Sequence, residues 1–592
     1  MKRMMVCLIA LFLMVPLCAL PLRVSGDYSG NITINSDGSV SPSDAPILTV
    51  DNITYTFTDN ITGSLAVHRN NTIIDGNGFI LDGKRAWQGL SLLNLTNVQV
   101  KNTVVTNFTG FGIELDFSSN CTLSDNNVTN SWTGIHIYRS FGNIVSENNV
   151  RWGSNTGIGV GSDSSHNVVS RNNISGYYRG IGIGLTSDNI ISGNNASNNQ
   201  DGIEISYSSG NTLSGNYVAN NHLGIQLFYS WNNILSGNVM QNNGYNFGVF
   251  GAALSHFMNS VDTSNLVNGK PVYYLVNQSN TVISPEFCPD AGYLGLANCV
   301  NMTVQGFTFT HVMHGILFGY VNESRVIGNN LVDNLYGIEL VYSFNNTLCD
   351  NNVTDSYVYG MYIEYSFSNR IFHNNFVKNS TQTSDYLQTC SIMNSVNTWD
   401  DDYQSGGNYW SCYTGKDNNQ DGIGDTPYIV EADNTDHYPL MGTYSSFKVW
   451  VPPYPTGGFE NVNVICNFTI SDLNLYAWLT TPNQYLQAGQ LFLRLSPVLG
   501  KYNTVGFCRL TVPNSILNTS DYIVLAGMNS VNVRKLLGSN STHTILYFTF
   551  NTSTNDEVII VPEFPSFLIL PLLFMAILLT VTFCRKKLTR TA

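Results

Sequence analysis

Apolar and polar residues alternate along most of this chain in short runs, and the runs recur with a fixed period. An apolar residue stands at every second position in segments such as Ile203-Glu204-Ile205, and further alternating runs follow before the pattern restarts at a glycine. The restart comes every 22 to 24 residues, as in GIELDFSSNCTLSDNNVTNSWT and GIEISYSSGNTLSGNYVANNHL. Because alternation with a period of two is typical of strands, each repeat predicts three short β-strands.

Asparagine, glycine and serine separate the strands, where tight turns and left-handed conformations are needed. Three short strands that are each apolar on one side can bury that side by winding into a triangular solenoid, whose coils stack about 4.8 Å apart. A helical period of 3.6 residues and the spacing of leucine-rich repeats are both absent. The pattern therefore predicts an all-β protein built on a right-handed parallel β-helix.

Two columns of asparagine set the predicted register of the coils. The first column comprises Asn143, Asn167, Asn189, Asn211, Asn233, Asn346 and Asn369, with Cys121 and Ser324 substituting in two coils. The second comprises Asn126, Asn148, Asn172, Asn194, Asn216, Asn238, Asn329, Asn351 and Asn374. An amide can donate to one neighbour and accept from the other, so we expect each column to satisfy the polar groups of the turns.

These coils resemble the NosD-like family of right-handed β-helices, a group shared with carbohydrate-binding proteins and sugar hydrolases. Three further segments are similar to archaeal cell-surface members of that family: RNNTIIDGNGFILDG (69–83), VDTSNLVNGKPVYYLVN (261–277) and GGNYWSCYTGKDNNQDGIGDTPY (406–428). The resemblance covers roughly residues 27–442. It implies a β-helix fold, and because one fold hosts many functions it does not by itself imply copper handling.

Both ends of the chain indicate export and anchoring. Residues 1–26 have the basic start, apolar stretch and small-residue end of a signal peptide. Residues 561–584 contain an apolar run long enough to span a bilayer, and a basic tail follows at 585–592. We therefore expect a protein on the extracellular face of the cell membrane with a single-pass C-terminal anchor.

Changes in the repeat pattern define the other predicted boundaries. From the N-terminus we expect β-helix coils at 27–247, a hairpin-like excursion at 248–300, further coils at 301–385, a C-terminal cap at 386–445, a proline-rich linker at 446–458 and a small antiparallel β-sandwich at 459–560. The sandwich resembles a membrane-proximal module of archaeal surface proteins.

The composition of the chain indicates its possible binding partners, its possible disulfides and its possible glycosylation sites. Only 11% of the residues are charged and the formal net charge is −14, which argues against nucleic acid and favours cations or neutral sugars. Plausible local disulfides are Cys288–Cys299, Cys390–Cys412 and Cys466–Cys508. Glycosylation sequons outside the asparagine columns begin at Asn31, Asn467, Asn518, Asn540 and Asn551.

The loop from 417 to 425 predicts a calcium site. Asp417, Asn419, Asp421 and Asp425 place oxygen ligands at loop positions 1, 3, 5 and 9, and Ile423 supplies a backbone carbonyl at position 7. Position 12 is a tyrosine, so the bidentate acid expected there is missing. The candidates to replace it are Glu431, Asp433 and Asp436. The alternative is a cap rich in Asx turns that holds no ion.

An aromatic column is the predicted carbohydrate-binding surface. It comprises Tyr207, Tyr229, Tyr320, Tyr342 and Tyr365, with Phe117 at the equivalent position of an earlier coil. Rings stacked at the coil spacing present a flat platform for sugar rings. The alternative is that these rings only shield the edge of the core.

Two weaker patterns bear on catalysis and on copper. Glu339 and Glu364 fall two positions apart in neighbouring coils, roughly 8 Å between Cα atoms, which suits an inverting acid–base pair; the alternative is a pair of solvated surface carboxylates. His311, Met313 and His314, with His256 and Met258, are the soft-metal candidates. Histidines three apart on a strand point to opposite faces and rarely share a metal.

These observations favour a non-catalytic surface protein that binds or scaffolds glycans or other cell-envelope components. A carbohydrate-active enzyme (a polysaccharide hydrolase, lyase or epimerase) that uses one face of the helix is the main alternative. A NosD-like copper-handling role is the second alternative.

Overall fold

The computed structural model describes residues 28–379, 390–431, 433–451, 458–476, 479–481, 484–485, 490–496, 505–517, 522–527, 529–551 and 557–562. The chain divides after Gly269 into two compact units. Within the described residues, no helix combines the length and the apolar character that crossing a bilayer requires. The predicted signal peptide, the tail and nearly all of the predicted anchor lie outside the described residues, so these three predictions stay untested.

The first unit is a parallel β-solenoid made of three sheets. Sheet 1 contains the strands Ile32–Ile34, Val40–Ser41, Leu65–Val67, Gln88–Leu93, Phe111–Asp116, Thr133–Tyr138, Thr156–Gly161, Arg179–Gly184, Asp201–Ser206, Leu223–Phe228 and Tyr245–Phe250. Sheet 2 contains Ile47–Leu48, Thr54–Phe57, Ile73–Asp75, Gln99–Lys101, Thr122–Ser124, Ile144–Ser146, Val168–Ser170, Ile190–Ser192, Thr212–Ser214, Ile234–Ser236 and Ser260–Val261. Sheet 3 contains Tyr28–Ser29, Ile61–Thr62, Ile80–Asp82, Val104–Thr106, Asn127–Thr129, Asn149–Arg151, Asn173–Ser175, Asn195–Ser197, Tyr217–Ala219, Val239–Gln241 and Leu266–Val267.

The alternation of the sequence becomes the inside and the outside of the coils. In the strand Thr133–Tyr138, Ile135 and Ile137 are fully buried, and the parallel register places Ile158 beside Ile135 in the next coil. Stacking of like residues therefore builds columns of Ile, Leu and Val that form the core. The predicted repeat and the predicted all-β parallel solenoid are confirmed.

The two asparagine columns are buried hydrogen-bonded ladders, as the sequence predicts. Asn194 is typical: its Nδ2 donates to Asn216 Oδ1 at 3.0 Å and to the carbonyl oxygen of Val169 at 2.8 Å. Its Oδ1 accepts from the Nδ2 of Asn172 at 3.0 Å. Each amide thus satisfies the turns of its neighbours, which buried backbone groups require.

A third polar ladder runs along the turn after sheet 3. The backbone N–H of Asn199 donates to Asn221 Oδ1 at 2.8 Å, and that of Asn221 donates to Asn243 Oδ1 at 2.9 Å. This ladder was not predicted from the sequence. Tyr177 and Ser131 stand at the position of Asn199 in earlier coils and interrupt the asparagine pattern.

The second unit begins with a further three-sided parallel solenoid. Sheet 4 contains Lys270–Val276, Tyr293–Ala297, His314–Gly319, Tyr336–Val341, Tyr359–Glu364 and Cys390–Met393. Sheet 5 contains Val282–Ile283, Thr303–Gln305, Arg325–Ile327, Thr347–Cys349 and Arg370–Phe372. Sheet 6 contains Thr308–Thr310, Asn330–Val332, Asn352–Thr354, Asn375–Val377 and Tyr409–Trp410.

The predicted excursion at 248–300 is wrong, because this segment continues to form coils. In the first unit, the short helix Leu254–Phe257 is inserted in a turn, and Ser260–Val261 then pairs parallel with sheet 2. In the second unit, Val272 to Val276 pair parallel with Tyr293–Ala297. The aromatic side chains of this segment obscured the repeat in the sequence, but they do not prevent parallel pairing of its backbone.

The predicted cap at 386–445 also begins with a coil. Cys390–Met393 pairs parallel with residues 361–364, and Tyr409–Trp410 pairs parallel with Asn375 and Phe376. The helix Asp402–Ser405 lies between these strands in the sequence, and the hairpin of Tyr428–Glu431 and Asn434–Asp436 follows them.

Two tryptophans end the long ladders of the second unit. The indole Nε1 of Trp399 donates to Asn434 Oδ1 at 3.0 Å, and that of Trp410 donates to Asp436 Oδ2 at 2.8 Å. Both oxygens of Asp436 accept N–H bonds, from Asn408 at 2.7 Å and from Tyr438 at 3.1 Å. A carboxylate suits the last step of the ladder, because an acceptor is needed on both sides.

Two antiparallel sheets form the predicted β-sandwich. One contains Thr443–Val451, Gly458–Cys466, Val505–Pro513, Val533–Lys535 and His543–Asn551; the other contains Thr469–Tyr476, Gln490–Ser496, Tyr522–Ala526, Asn529–Val531 and Glu557–Pro562. Leu479–Thr481 and Gln484–Tyr485 form a separate small hairpin. The linker predicted at 446–458 is wrong at both ends, because residues 443–451 pair with 458–466. The consecutive prolines indicated a linker, whereas the flanking alternation belongs to a hairpin. The last strand extends to Pro562, two residues into the predicted anchor.

Replacing Asn194 with leucine tests the ladder. Asn194→Leu leaves amide groups of Asn172 and the carbonyl of Val169 without partners in a buried turn, so we expect a loss of at least about 3 kcal/mol in the free energy of unfolding. Urea denaturation monitored by circular dichroism measures it. The matched control is Gln200→Leu, at an exposed turn position of the same coil, which should change stability by less than about 0.5 kcal/mol. Equal losses for the two variants would contradict the ladder.

Candidate ligand-binding cleft

A cleft of about 390 Å³ lies on the outer face of sheet 1 in the first unit. Its floor is formed by Gly159, Gly161, Gly182 and Gly184, which come from two neighbouring strands. The register pairs Gly159 with Gly182 and Gly161 with Gly184. Four outward-facing positions in adjacent coils therefore have no side chain.

The backbone requires glycine at none of these positions, because none of the four has the positive φ that favours glycine. The packing leaves room for a side chain at two of them: a Cβ at Gly159 would have its nearest contact at 3.6 Å, and one at Gly161 at 4.0 Å, both ordinary distances. A Cβ at Gly182 would lie 3.3 Å from Cδ of Arg179, so that side chain would have to shift. Glycine in a strand costs about 0.5–1 kcal/mol relative to alanine, and it often marks a place where a ligand approaches the backbone.

Aromatic rings form one wall of the cleft. The rings of Phe111 and His136 are parallel, with centroids 4.4 Å apart, and Trp132 meets Phe111 edge-on at 6.3 Å. Trp132 remains 43% exposed. Burial lowers the pKa of His136 to about 4, so its ring is neutral at neutral pH. The wall is therefore a flat, uncharged aromatic surface.

An ion pair forms the opposite wall. Arg179 Nε lies 2.5 Å from Glu204 Oε2, and Gln226 Nε2 donates to the same oxygen at 3.3 Å. Asn155 and Ser206 add polar groups to the lining. Because the one arginine and the one glutamate neutralise each other, the described lining carries no net charge.

This cleft was not predicted from the sequence. The outward column of His136, Gly159, Gly182 and Glu204 shows no residue type shared by all four coils, so it was not recognised as a site. The available signal was the succession of GIGVG and GIGIG in adjacent repeats, which removes four outward side chains at once.

The predicted carbohydrate-binding tyrosines form two short stacks. Tyr207 and Tyr229 are parallel at 5.3 Å in the first unit; in the second, Tyr342 stacks on Tyr320 and on Tyr365 at 5.0 Å each. All five lie in a turn directly after a strand of sheet 1 or sheet 4, with φ between 44° and 60°. A bulky residue with positive φ is strained and persists only where the surroundings hold it. Arg139 and Leu185 have the same conformation at equivalent turns of other coils, so the turn of the coil, and not the ring stack, holds these residues at positive φ.

The structure does not place the two candidate catalytic glutamates in a solvated pair. Glu339 is only 4% exposed, and its Oε2 lies 2.7 Å from Nε2 of the fully buried His314. Glu364 is offset by two positions, because its register partner is Val341, as the sequence predicts. Burial raises the pKa of Glu364, and the charge of Glu339 raises it further. The expectation of two solvated carboxylates is thus wrong for Glu339.

The loop predicted to bind calcium is closed by its own hydrogen bonds. Asp417 accepts the N–H groups of Asp421 at 3.0 Å and Gly422 at 2.9 Å. Asp421 accepts the N–H of Ile423 and the hydroxyl of Tyr403. These contacts match the predicted alternative of an Asx-turn cap.

The remaining predicted ligands of the loop face elsewhere. Asn419 Nδ2 lies 3.3 Å from Asp421 Oδ2, whereas Asp425 accepts from the backbone and side chain of Asn418. Of the proposed replacements at position 12, Glu431 accepts the N–H of Ile392, and Asp436 ends a ladder. Calcium binding remains a prediction.

Seven of the eight described cysteines are buried. Cys466 and Cys508 stand directly opposite each other on antiparallel strands. Of the three predicted disulfides, this pair has the register that a cross-strand bridge needs.

The described fold is a parallel β-solenoid, and comparison with known proteins places the chain in a family. The family described as periplasmic copper-binding protein (NosD) matches residues 24–187 and 258–415, more than half of the chain. The chain therefore belongs to the NosD family, which confirms the resemblance found in the sequence. A second family, the right-handed β-helix region, matches residues 133–287. No curated protein matches the chain.

Three solved structures illustrate the likeness of fold. The Dettilon tailspike protein is 12% identical, with 90% of this chain and 86% of that one covered and a TM-score of 0.26. The tailspike protein of E. coli bacteriophage HK620, solved with a pentasaccharide, is 10% identical, with 86% and 82% covered and a TM-score of 0.28. A mannuronan C-5 epimerase module from Azotobacter vinelandii is 12% identical, with 63% and 91% covered and a TM-score of 0.28. These likenesses assign no ligand to this chain.

The described residues do not fit a copper site. No three His, Cys, Asp or Glu side chains among them lie close enough to hold one metal ion. His311 is half exposed beside Asp333, whereas His314 is fully buried beside Glu339, so the two histidines face apart as the sequence predicts. Met313 is also fully buried. We derive no copper chemistry from this chain.

Calcium titration tests the loop at 417–425. If the predicted ion binds, the melting temperature rises with calcium, because a ligand that binds only the native state adds stability as RT ln(1 + [L]/Kd). Asp421→Ala should remove this dependence, whereas Asp290→Asn, at an exposed acid outside the loop, should retain it. The calcium prediction would be wrong if calorimetry detected no calcium binding and EDTA left the melting curve unchanged. The loop would then be an Asx-turn cap that holds no ion.

The neutral state of His136 predicts a pH dependence of stability. The unfolded chain takes up a proton at this ring near pH 6.5, whereas the folded protein does so only near pH 4. The contribution of His136 to stability should therefore be constant above pH 6.5 and fall as the pH drops from 6.5 to 4, by at most about 3 kcal/mol. His136→Gln should reduce that fall, and His166→Gln, at an exposed turn, should not. Urea denaturation at pH 7.0 and 4.5 gives the comparison.

Proposed function

We propose that this protein binds a neutral glycan in the glycine-floored cleft of sheet 1 and does not cleave it. The observation that carries the proposal is the set of four strand glycines, none of which φ requires and two of which, Gly159 and Gly161, have room for a side chain. Their absent side chains open a depression in a sheet face that is otherwise covered by His136, Tyr138, Glu204 and Ser206 in the neighbouring coils.

The walls of the cleft suit a sugar. A pyranose ring has an apolar face that packs on aromatic rings, and Phe111 and Trp132 offer such rings. Its hydroxyl groups need donors and acceptors, which Arg179 and Glu204 supply as a fixed pair. A volume of 390 Å³ falls within the range of about 300–1,000 Å³ typical of small-ligand pockets. The neutral lining favours an uncharged sugar.

The arrangement of acids supports binding over cleavage. Hydrolysis of a glycosidic bond ordinarily uses two carboxyl groups on either side of the bond. Of the described residues that line the cleft, Glu204 alone carries a carboxyl group, and Arg179 holds it. The enzyme hypothesis therefore depends on Glu339 and Glu364, one of which is buried beside His314.

The Tyr207–Tyr229 stack extends the proposed glycan site. Tyr207 follows Ser206, a residue of the cleft lining, and half of its surface is exposed. A longer glycan that leaves the cleft at this side would pack on the stacked rings. The predicted signal peptide and anchor support the same role at the extracellular face of the membrane, where cell-envelope glycans are the available ligands.

A valine in the cleft floor should weaken glycan binding without lowering the stability of the protein. Gly159→Val places a β-branched side chain where a Cβ meets no close contact, so the strand should gain about 0.5–1 kcal/mol. The same side chain occupies the space of the sugar, so binding on a glycan array should fall at least tenfold. The matched control is Ser91→Val, in the same outward column but outside the cleft, which should bind normally.

Two results would overturn the proposal. One is undiminished glycan binding by Gly159→Val with a melting temperature equal to or above that of the natural protein. The other is release of shortened products from any bound polysaccharide, which would favour the enzyme hypothesis. In that case Glu339→Gln and Glu204→Gln would show which carboxyl group acts.

A further inference from the structure

A second pocket, of about 240 Å³, lies within the second unit, between the last solenoid coil and the β-sandwich. The solenoid contributes His373 and Ser405, and the sandwich strands contribute Asn463, Arg509 and His543. Residues distant in sequence thus meet around one cavity, which the repeat pattern could not indicate.

The charge of this pocket is opposite to that of the protein. None of the described residues that line it is acidic, although the chain carries a net charge of −14. Arg509 is 4% exposed, and no carboxylate oxygen of the described residues lies within 4.0 Å of its guanidinium nitrogens. The guanidinium donates hydrogen bonds to the backbone carbonyl oxygens of Asp421 at 3.2 Å and of Gln404 at 2.5 Å.

The acids nearest to Arg509 are engaged elsewhere. Asp417 and Asp421 favour the charged guanidinium from a distance, but their carboxylates accept the N–H groups of their own loop and the Tyr403 hydroxyl. Burial lowers the pKa of Arg509. A buried cation without a close counter-charge is costly, and an anion in the adjoining cavity would relieve that cost.

We propose that this pocket binds the carboxylate or sulfate group of an acidic ligand, with Arg509 as its counter-charge. Thr511, Asn463 and His543 line the same cavity and offer hydrogen-bond donors to the oxygen atoms. His373 contributes a neutral wall, because burial lowers the pKa of its ring to about 4. The ring stacks on Tyr444 with centroids 3.9 Å apart. A single fixed positive charge matches a singly charged group.

This site is independent of the glycan cleft, since the two lie in different units. The same anionic group could come from an acidic sugar or from a small anion in solution. The experiment therefore compares four probes at constant ionic strength: glucuronate, acetate, inorganic sulfate and uncharged glucose. Isothermal titration of the full chain measures binding to each.

We expect glucuronate to bind and glucose not to bind. Acetate or sulfate binding as tightly as glucuronate would show that the pocket recognises the oxyanion alone, and tighter binding of glucuronate would show that it also contacts the sugar. Both results support the site. Absence of binding by all three anions would overturn it.

Arg509→Gln should weaken binding of the anion at least tenfold. The matched control is Arg534→Gln: Arg534 also donates to loop carbonyls, at Asn419 and Gln420, but does not line the pocket. His543→Ala is a second test that leaves the contacts of Arg509 intact, and it should weaken binding severalfold. Equal affinities for Arg509→Gln and Arg534→Gln, or a His543→Ala variant that binds as the natural protein does, would count against the assignment. Gly159→Val should bind the anion normally.

Discussion

Both solenoids depend on hydrogen bonds between buried amides at their turns. A coil of 22 residues has three turns whose backbone groups face inward or towards the next coil, and a buried group without a partner costs about 1–3 kcal/mol. Asparagine solves this problem repeatedly, because Asn194 and its equivalents accept from one coil and donate to the next. Strand pairing alone would leave those turns unsatisfied. The hydrophobic columns can therefore stack only where the polar ladders continue.

The ends of the ladders show the same constraint. Where no further coil follows, the last amides need a final acceptor, and the chain returns to supply Asn434 and Asp436 beneath two tryptophan indoles. Burial raises the pKa of Asp436 to about 7, while the N–H bonds from Asn408 and Trp410 favour its charged form. The segment after the coils is thus a continuation of the ladder, and the loop at 417–425 is attached to it. Two arginines of the sandwich, Arg509 and Arg534, donate hydrogen bonds to backbone carbonyl oxygens of that loop.

Since the ladders and the core fix the inside of the coil, the outside is left to vary. The glycine-floored cleft uses this freedom, because glycine at Gly159 or Gly184 costs the strand a little stability but leaves the inward isoleucines unchanged. The tyrosine stacks use it at the turns, where rings of neighbouring coils lie parallel on the outside. The same solenoid architecture can therefore carry different outer surfaces.

The sequence by itself determined the repeat, the register of the coils and the two principal asparagine ladders, because each of these is a local pattern repeated along the chain. It also indicated the antiparallel strands of the β-sandwich, because alternation survives in them, although the first strand begins at Thr443, before the predicted boundary. It misjudged 248–300 and 446–458, where aromatic residues and prolines masked backbone pairing with distant segments. The cleft and the basic pocket could be recognised only in the tertiary structure. A cleft is made by side chains that are absent in neighbouring coils, and the pocket joins His373 to Arg509 across 136 positions of the sequence. The pocket leaves no periodic trace along the chain, and the cleft leaves only the succession of GIGVG and GIGIG, whose four glycines come together through the register of the coils.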